Sequence, residues 1–514
     1  MKKQYKVTLI IGLILIVLIL LLFGTWKFLH KGETFNEISS PYCAGTDCPR
    51  RFAIEGFHPQ IKDDLAALGD GLIETQVLWG QVEPNAPVNG VHKYKSLEEG
   101  KEGITSFLDW TKETGREISL MIEVYETDWA IERSKDINVF SPRDGTRIPG
   151  FVRIKPEHRQ DWKDFIKYVL SISPNLQYVQ IDNEPENVWV NGEGYLEELT
   201  LAYQAVQEYN LEHETNIKVM AAGFHLVNLL IEVPENFQTY ALENYPNIDL
   251  NYIRSQLNGS MVENVSDQQI LYNMQKMHIV LTILKQKNPS FDIFTMHNDH
   301  GKTYDTIGAQ VKKYESIMNS MDYDRPIWID DGSVNYFPVY KGNKATQEDI
   351  DLMVGLEKKE AWAIEKLTRE QSKWMVRKVT GDFAAGIERA KFAYMIEPNS
   401  YYDAVWREQD LFTDDFKPKP AYYTAKVMIT KLDYFTKAEK MDGYVYKFSF
   451  DGKGSVYVAW DENGGRTLDL SKELGTNVKI THIIKEWGQI EPKVETVRPN
   501  NITLGEDPIF IEAQ

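Results

Sequence analysis

Two short acidic stretches hold the residue types that could do chemistry. In YVQIDNEPE (178–186), four residues alternate apolar and polar before giving way to Asp182, Asn183, Glu184, Pro185 and Glu186. In PIWIDDG (326–332), an apolar run ends in Asp330 and Asp331. Acids and Pro are common at any solvated strand end. Two carboxyl groups facing each other across a pocket are a different matter, because such a pair can cleave a glycosidic bond. One protonates the leaving oxygen, and the other stabilises or attacks the oxocarbenium-like centre. Glu184 and Asp331 stand 147 residues apart in the chain, so only the fold can make them a pair.

The elements that would do so are legible as a repeating pattern. Short apolar runs occur at 51–57, 71–79, 117–125, 176–181, 217–224, 291–297, 326–329 and 391–396. Amphipathic stretches such as DWKDFIKYVLSI separate them, with apolar residues three and four apart. Strand alternating with helix eight times predicts an α/β fold, a (β/α)8 TIM barrel over 51–430. Chemistry in such a barrel belongs at the C-terminal ends of the strands. Glu184 follows the fourth strand and Asp331 the seventh, on opposite sides of one pocket. The longest insertions fall after the fifth strand (225–290) and the seventh (333–380). From 431 the chain turns to short alternating strands with turns at DGKG and ENGG, which predict a small antiparallel β-sandwich over 431–514.

The order of these segments resembles that of the clan A glycoside hydrolases, retaining (β/α)8 enzymes with an Asn-Glu-Pro acid/base segment and a Glu nucleophile after strand seven. DLAALGDGLIETQVLWGQVEP resembles their second-strand segment, ending in Trp79, Glu83 and Pro84. QIDNEPENVW resembles the acid/base segment, and RPIWIDDGS the nucleophile segment. FDIFTMH places His297 where the family has a histidine ending strand six, and FAAGIERAKFAYM resembles the helix feeding strand eight. KPKPAYY and ITLGEDPIFIE resemble the exit into a terminal sandwich. The resemblance implies Glu184 as acid/base, Asn183 as its companion on the sugar 2-hydroxyl, and Asp331 as the second carboxylate.

Three positions depart from the family. Asp331 stands where it has Glu, Asp299 where it often has Tyr, and Glu74 and Thr75 where strand two commonly has Arg. The first departure bears on mechanism. A carboxylate one methylene shorter moves the pair from the retaining separation of about 5–5.5 Å toward the inverting one of about 6.5–9.5 Å. Two functions are therefore in view: a glycoside hydrolase acting on a β-linked polysaccharide or oligosaccharide, and a catalytically impaired, carbohydrate-binding pseudoenzyme of the same fold.

Trp79, Trp189 and Trp406 are the aromatic candidates for stacking on sugar rings. His297, Asp299 and Asp330 are candidate substrate contacts at the same rim. HNDH (297–300) with Asp330 and Asp331 has the residue types of a metal cluster, but no metalloenzyme motif matches, and neither metal nor cofactor is expected. A formal charge of −19 argues against nucleic acid and anionic membrane surfaces as partners and fits a neutral carbohydrate.

The N-terminus has a different logic. MKKQYK is basic, and the uncharged VTLIIGLILIVLILLLFG follows it. As a helix that run spans roughly 27 Å, close to the thickness of a bilayer core. Trp26, Lys27, His30 and Lys31 follow as interfacial anchors would, and no Ala-x-Ala site precedes them. The reading is a cytoplasmic start (1–6), a transmembrane anchor (7–26) and a juxtamembrane linker (27–50), with the barrel on the extracytoplasmic side. Secretion after signal cleavage is the alternative. Cys43 and Cys48 would form a small disulfide loop outside the cytoplasm or stay free thiols.

Overall fold

The structure is a computed structural model, and it describes residues 50–69, 71–95, 104–140, 147–173, 175–225, 235–256, 266–298, 303–332, 347–358, 360–394, 410–413, 415–452 and 454–514. The apolar segment 7–26, Cys43, Cys48, Asp299 and Trp406 lie outside the described residues. Among those described, no helix is long and apolar enough to cross a membrane.

The first strands are β1 (Phe52–Glu55), β2 (Leu72–Leu78) and β3 (Ile118–Glu123), followed by an antiparallel hairpin of β4 (Ile131–Phe140) and β5 (Arg147–Ile154). Then come β6 (Leu176–Ile181), β7 (Lys218–Ala221), β8 (Phe224–His225), β9 (Phe294–His297), β10 (Ile327–Asp331) and β11 (Arg389–Tyr394). All but the hairpin form one parallel sheet in the order β7-β6-β3-β2-β1-β11-β10-β9-β8. Its two edge strands, β7 and β8, are successive pieces of one run interrupted at Ala222-Gly223, and Met220 bridges to Ile293 beside β9. The sheet therefore curls until its edges meet, as a TIM-like α/β barrel. Each of the eight apolar runs contributes to it.

Alternation along the strands explains what lies inside. Ala53, Leu72, Met220, Ile293 and Trp328 form a small interior cluster. Residues of the opposite parity, among them Ile54, Ile73, Leu120, Val179, Val219 and Ile329, join the large core under the helices. Two residues further along, the interior positions turn polar at Glu55, Glu74, Thr295 and Asp330, and Lys391 joins them from β11. A buried charge is costly unless paired. Lys391 Nζ donates to Glu74 Oε1 at 2.6 Å and lies 2.8 Å from Glu55 Oε2. The cation that strand two lacks thus arrives from β11. Burial and the neighbouring Glu74 and Asp331 push Glu55 up to about 7, with Lys391 opposing.

The C-terminal strands are β12 (Lys437–Lys440), β13 (Val445–Phe450), β14 (Gly454–Ala459), β15 (Arg466–Leu468), β16 (Val478–His482), β17 (Val494–Val497), β18 (Ile502–Leu504) and β19 (Ile509–Ala513). They form a six-stranded antiparallel sheet, β12-β13-β14-β19-β16-β17, and a two-stranded one, β15-β18. Period two again sorts the faces. Tyr446, Phe448, Val456, Val458 and Phe510 join the barrel's core, while Val445, Tyr457, Ile509 and Ile511 pack with Leu468, Ile502 and Leu504.

Two buried carboxyls give stability a definite pH dependence. Burial raises Asp382 to about 6 against the pull of Lys378, and raises Asp433 to about 6 against its bond from the Arg51 amide (2.8 Å). The unfolded value is about 3.9. Folded-state affinity for the proton is the higher, so this stabilisation is complete below pH 4 and lost as pH rises through 6. The loss is on the order of 2–3 kcal/mol per group. Urea midpoints should fall between pH 5 and pH 8, and Asp433→Asn should flatten that slope; a midpoint rising with pH contradicts the account.

Candidate active site

β6 stops at Ile181, and the chain then makes two left-handed turns at non-glycine residues. Asp182 has φ 66°, and Glu184 has φ 47° and ψ 53°. Conformations of this kind cost about 1–3 kcal/mol each and persist only where surroundings enforce them. Here they do. Buried Asp182 accepts the Trp189 indole N–H at 2.6 Å and the Asn183 amide at 2.8 Å. Pro185 opens the helix Pro185–Val188, its fixed φ setting the direction in which Glu184 leaves the strand. Burial lifts Asp182 to about 6 although both bonds favour the carboxylate. Burial and the Asp182 charge push the neighbouring Glu198 well above the carboxylate range.

The Glu184 side chain is mostly enclosed and fully engaged. Its Oε2 accepts from Asn187 Nδ2 at 2.7 Å, and the Tyr272 hydroxyl donates to Asn187 Oδ1 at 2.6 Å. Its Oε1 lies 3.1 Å from His225 Nε2 and 3.1 Å from His297 Nδ1. His225 Nδ1 meets Glu186 Oε1 at 2.9 Å, and His297 Nε2 lies 3.6 Å from Asp330 Oδ2. Burial alone would raise the Glu184 carboxyl. The charges of His225, His297 and Lys276 outweigh it and hold the group well below its ordinary value. Both imidazoles move the opposite way: burial resists their charge, but Glu184 and Glu186 raise His225, and Asp330 and Glu184 raise His297.

The seventh strand supplies the facing acids through a bulge. Ile329 pairs with Met296 and Asp331 with His297, so Asp330 and Asp331 together oppose one residue of β9. Asp330 is buried and accepts from the Thr295 hydroxyl at 3.3 Å. Asp331 is half-buried; its amide oxygen takes the Asn298 N–H at 2.7 Å, and its charge acts on Glu55, His297 and Lys391. One imidazole and two contacts separate Glu184 from Asp330. Those contacts are 3.1 Å and 3.6 Å.

Of the expected site residues, the structure brings together Glu184, His297 and Asp330, with Asn183 and Asp331 beside them in sequence. Asn183 Oδ1 is buried without a hydrogen-bond partner. The tryptophans need correction. Trp79 and Trp189 are fully buried, which leaves no ring face for a sugar. Trp79 stacks on Phe165 and donates to Glu83 Oε2 at 3.0 Å, and Trp189 packs edge-on to Phe151 while holding Asp182. Sequence reasoning missed His225, Glu186, Asn187, Tyr272 and Lys276. The strand-end rule could have found His225, which closes the fifth barrel strand.

Gly223 is what lets His297 and Asp330 meet. A Cβ there would stand 2.2 Å from both Asp330 Oδ2 and His297 Nε2. Gly223→Ala should therefore cost about 1–3 kcal/mol through overpacking. Denaturant midpoints read this directly, and an unchanged midpoint means the two side chains do not sit where the structure has them.

The sequence matches no protein-family model and no curated protein. The structure is similar to a glucosidase from Croceicoccus marinus, at 8% identity over 90% of this chain and 95% of that one, with a TM-score of 0.51. The chain shares the fold of that glucosidase. The catalytic domain of GH30 xylanase C from Talaromyces cellulolyticus aligns over 90% of this chain and 96% of that one, at 9% identity and a TM-score of 0.47. In this barrel Glu184 lies just past the C-terminal end of the fourth parallel strand, β6, and Asp331 ends the seventh, β10.

Proposed function

We propose that the chain is a glycoside hydrolase acting on a β-linked polysaccharide or oligosaccharide, held at the extracytoplasmic face of a membrane by residues 7–26. The observation that carries this reading is the turn at Glu184, which is strained, supported by Asp182 and Trp189, and one imidazole away from Asp330. In this reading Glu184 is the acid/base and Asp331 the second carboxylate. Asp330 positions His297, and the open Asn183 Oδ1 accepts from the sugar 2-hydroxyl. The similar fold of a glucosidase supports the substrate class. The test is a panel of β-linked glycans incubated with the chain from residue 32 onward. At least one should release new reducing ends, and a panel left intact counts against hydrolysis.

A second reading, a carbohydrate-binding pseudoenzyme, is favoured by one observation. A proton donor works best with its pKa near the working pH, yet His225 and His297 hold Glu184 ionised. A glycan that binds in this panel without being cut selects that reading.

A further inference from the structure

We propose that Glu184, His225 and His297 together bind one divalent transition-metal ion, with zinc the best fit. One ligand atom from each of the three lies within 4.8 Å of the other two. Glu184 Oε1 stands 3.1 Å from His225 Nε2 and 3.1 Å from His297 Nδ1. Ligands around a tetrahedral zinc with bonds of about 2.0–2.2 Å sit roughly 3.3–3.5 Å apart, so the two carboxylate–imidazole spacings need shifts of only a few tenths of an ångström, and the two imidazole nitrogens, within 4.8 Å of each other, close the third side.

The outer groups favour it independently. Each imidazole presents its far nitrogen to a buried carboxylate, His225 Nδ1 to Glu186 at 2.9 Å and His297 Nε2 to Asp330 at 3.6 Å. Metal-bound histidines are oriented in this way, and the arrangement leaves the near nitrogen free to ligate. His297 Nδ1 is that near nitrogen, buried and turned toward Glu184 Oε1 at 3.1 Å. Glu186 is fixed in turn by the His225 amide at 2.7 Å. Two imidazoles and one carboxylate leave a fourth zinc position open. With both imidazoles neutral, as ligation requires, the carboxylates of Glu184, Glu186 and Asp330 outweigh Lys276 among the described residues, and the site favours a dication. Sequence patterns do not disclose this set, because the candidate cluster they offer, HNDH with Asp330 and Asp331, shares only His297 with it.

A Glu184 bound to the ion gives no proton, so the metal-loaded site and the acid/base role exclude each other; the assignment rests on coordination geometry and not on the hydrolase reading, and binding can be read without turnover. The full chain, purified in detergent and stripped with chelator, is titrated with Co2+, whose visible d–d bands report imidazole and carboxylate ligation. One equivalent should bind with those bands, and Zn2+ should displace it. His225→Ala and the near-isosteric Glu184→Gln should each abolish the bands, with folding checked by circular dichroism. Glu186→Gln, which leaves all three ligands in place, should weaken affinity about 10–100-fold. Absence of stoichiometric binding overturns the proposal, and so do bands that survive both ligand substitutions.

Discussion

Glu184→Gln should leave the barrel folded and remove turnover, by at least the factor of about 10²–10⁴ that a positioned general acid supplies. The substitution keeps the shape of the side chain. Its carbonyl oxygen can stay between the two imidazoles, and its amide can meet Asn187 once the Asn187 amide rotates. What is lost is the group that takes and gives the proton. The turn that raises Glu184 is enforced from behind, by Asp182 and Trp189, and those contacts do not depend on its charge. Any loss of activity therefore reports chemistry and not unfolding, provided the urea midpoint is retained. Full activity in the variant would remove Glu184 from the mechanism. His225→Ala then asks a separate question. It removes one of the charges that keep Glu184 ionised, so a hydrolase should see the basic limb of its pH–rate profile move upward.

How far the sequence reveals this arrangement depends on whether a residue's role is set by its strand or by its neighbours. The eight barrel strands are legible because apolar runs between amphipathic helices have few other uses. Glu184, His297 and Asp330 are legible because each sits at or just past a strand end. Trp79 and Trp189 show the opposite case. A tryptophan beside a rim looks like a sugar platform, but its type does not disclose burial, and each indole N–H instead satisfies a buried acid, Glu83 or Asp182. Tyr272 and Lys276 lie on the helix Asp267–Leu284, far along the chain from Glu184, and only packing brings Tyr272 to Asn187 and Lys276 over the Tyr272 ring. The β4–β5 hairpin was not anticipated, since IERSKDINVF is too charged to read as a strand. β12 (KAEK) and β17 (VETV) escaped notice for a related reason: both are sheet edges, where charge is favoured and apolar alternation is weak.

The acid opposite Glu184 is decided by a set of substitutions at the β10 bulge. Asp331→Ala should abolish hydrolysis at least as fully as Glu184→Gln, because it removes the second carboxylate. Asp331→Glu should keep activity or raise it, since the added methylene carries the carboxylate toward the retaining separation of about 5–5.5 Å. Asp330→Ala should act differently. Asp330 meets His297 and Thr295, so its loss frees one imidazole nitrogen and misplaces the ring that faces Glu184. A displacement of about 1 Å costs up to roughly 10²-fold, and some activity should survive. The bulge makes the comparison decisive, because it sets both aspartates against the same residue of β9 and so places either one near the pocket. If Asp330→Ala is the dead variant and Asp331→Ala retains turnover, the two roles are exchanged. If hydrolysis survives alanine at both positions, the second carboxylate lies elsewhere on the rim. Product stereochemistry completes the argument: an inverted product from the natural Asp331 enzyme and a retained one from Asp331→Glu would show that a single methylene sets the mechanism.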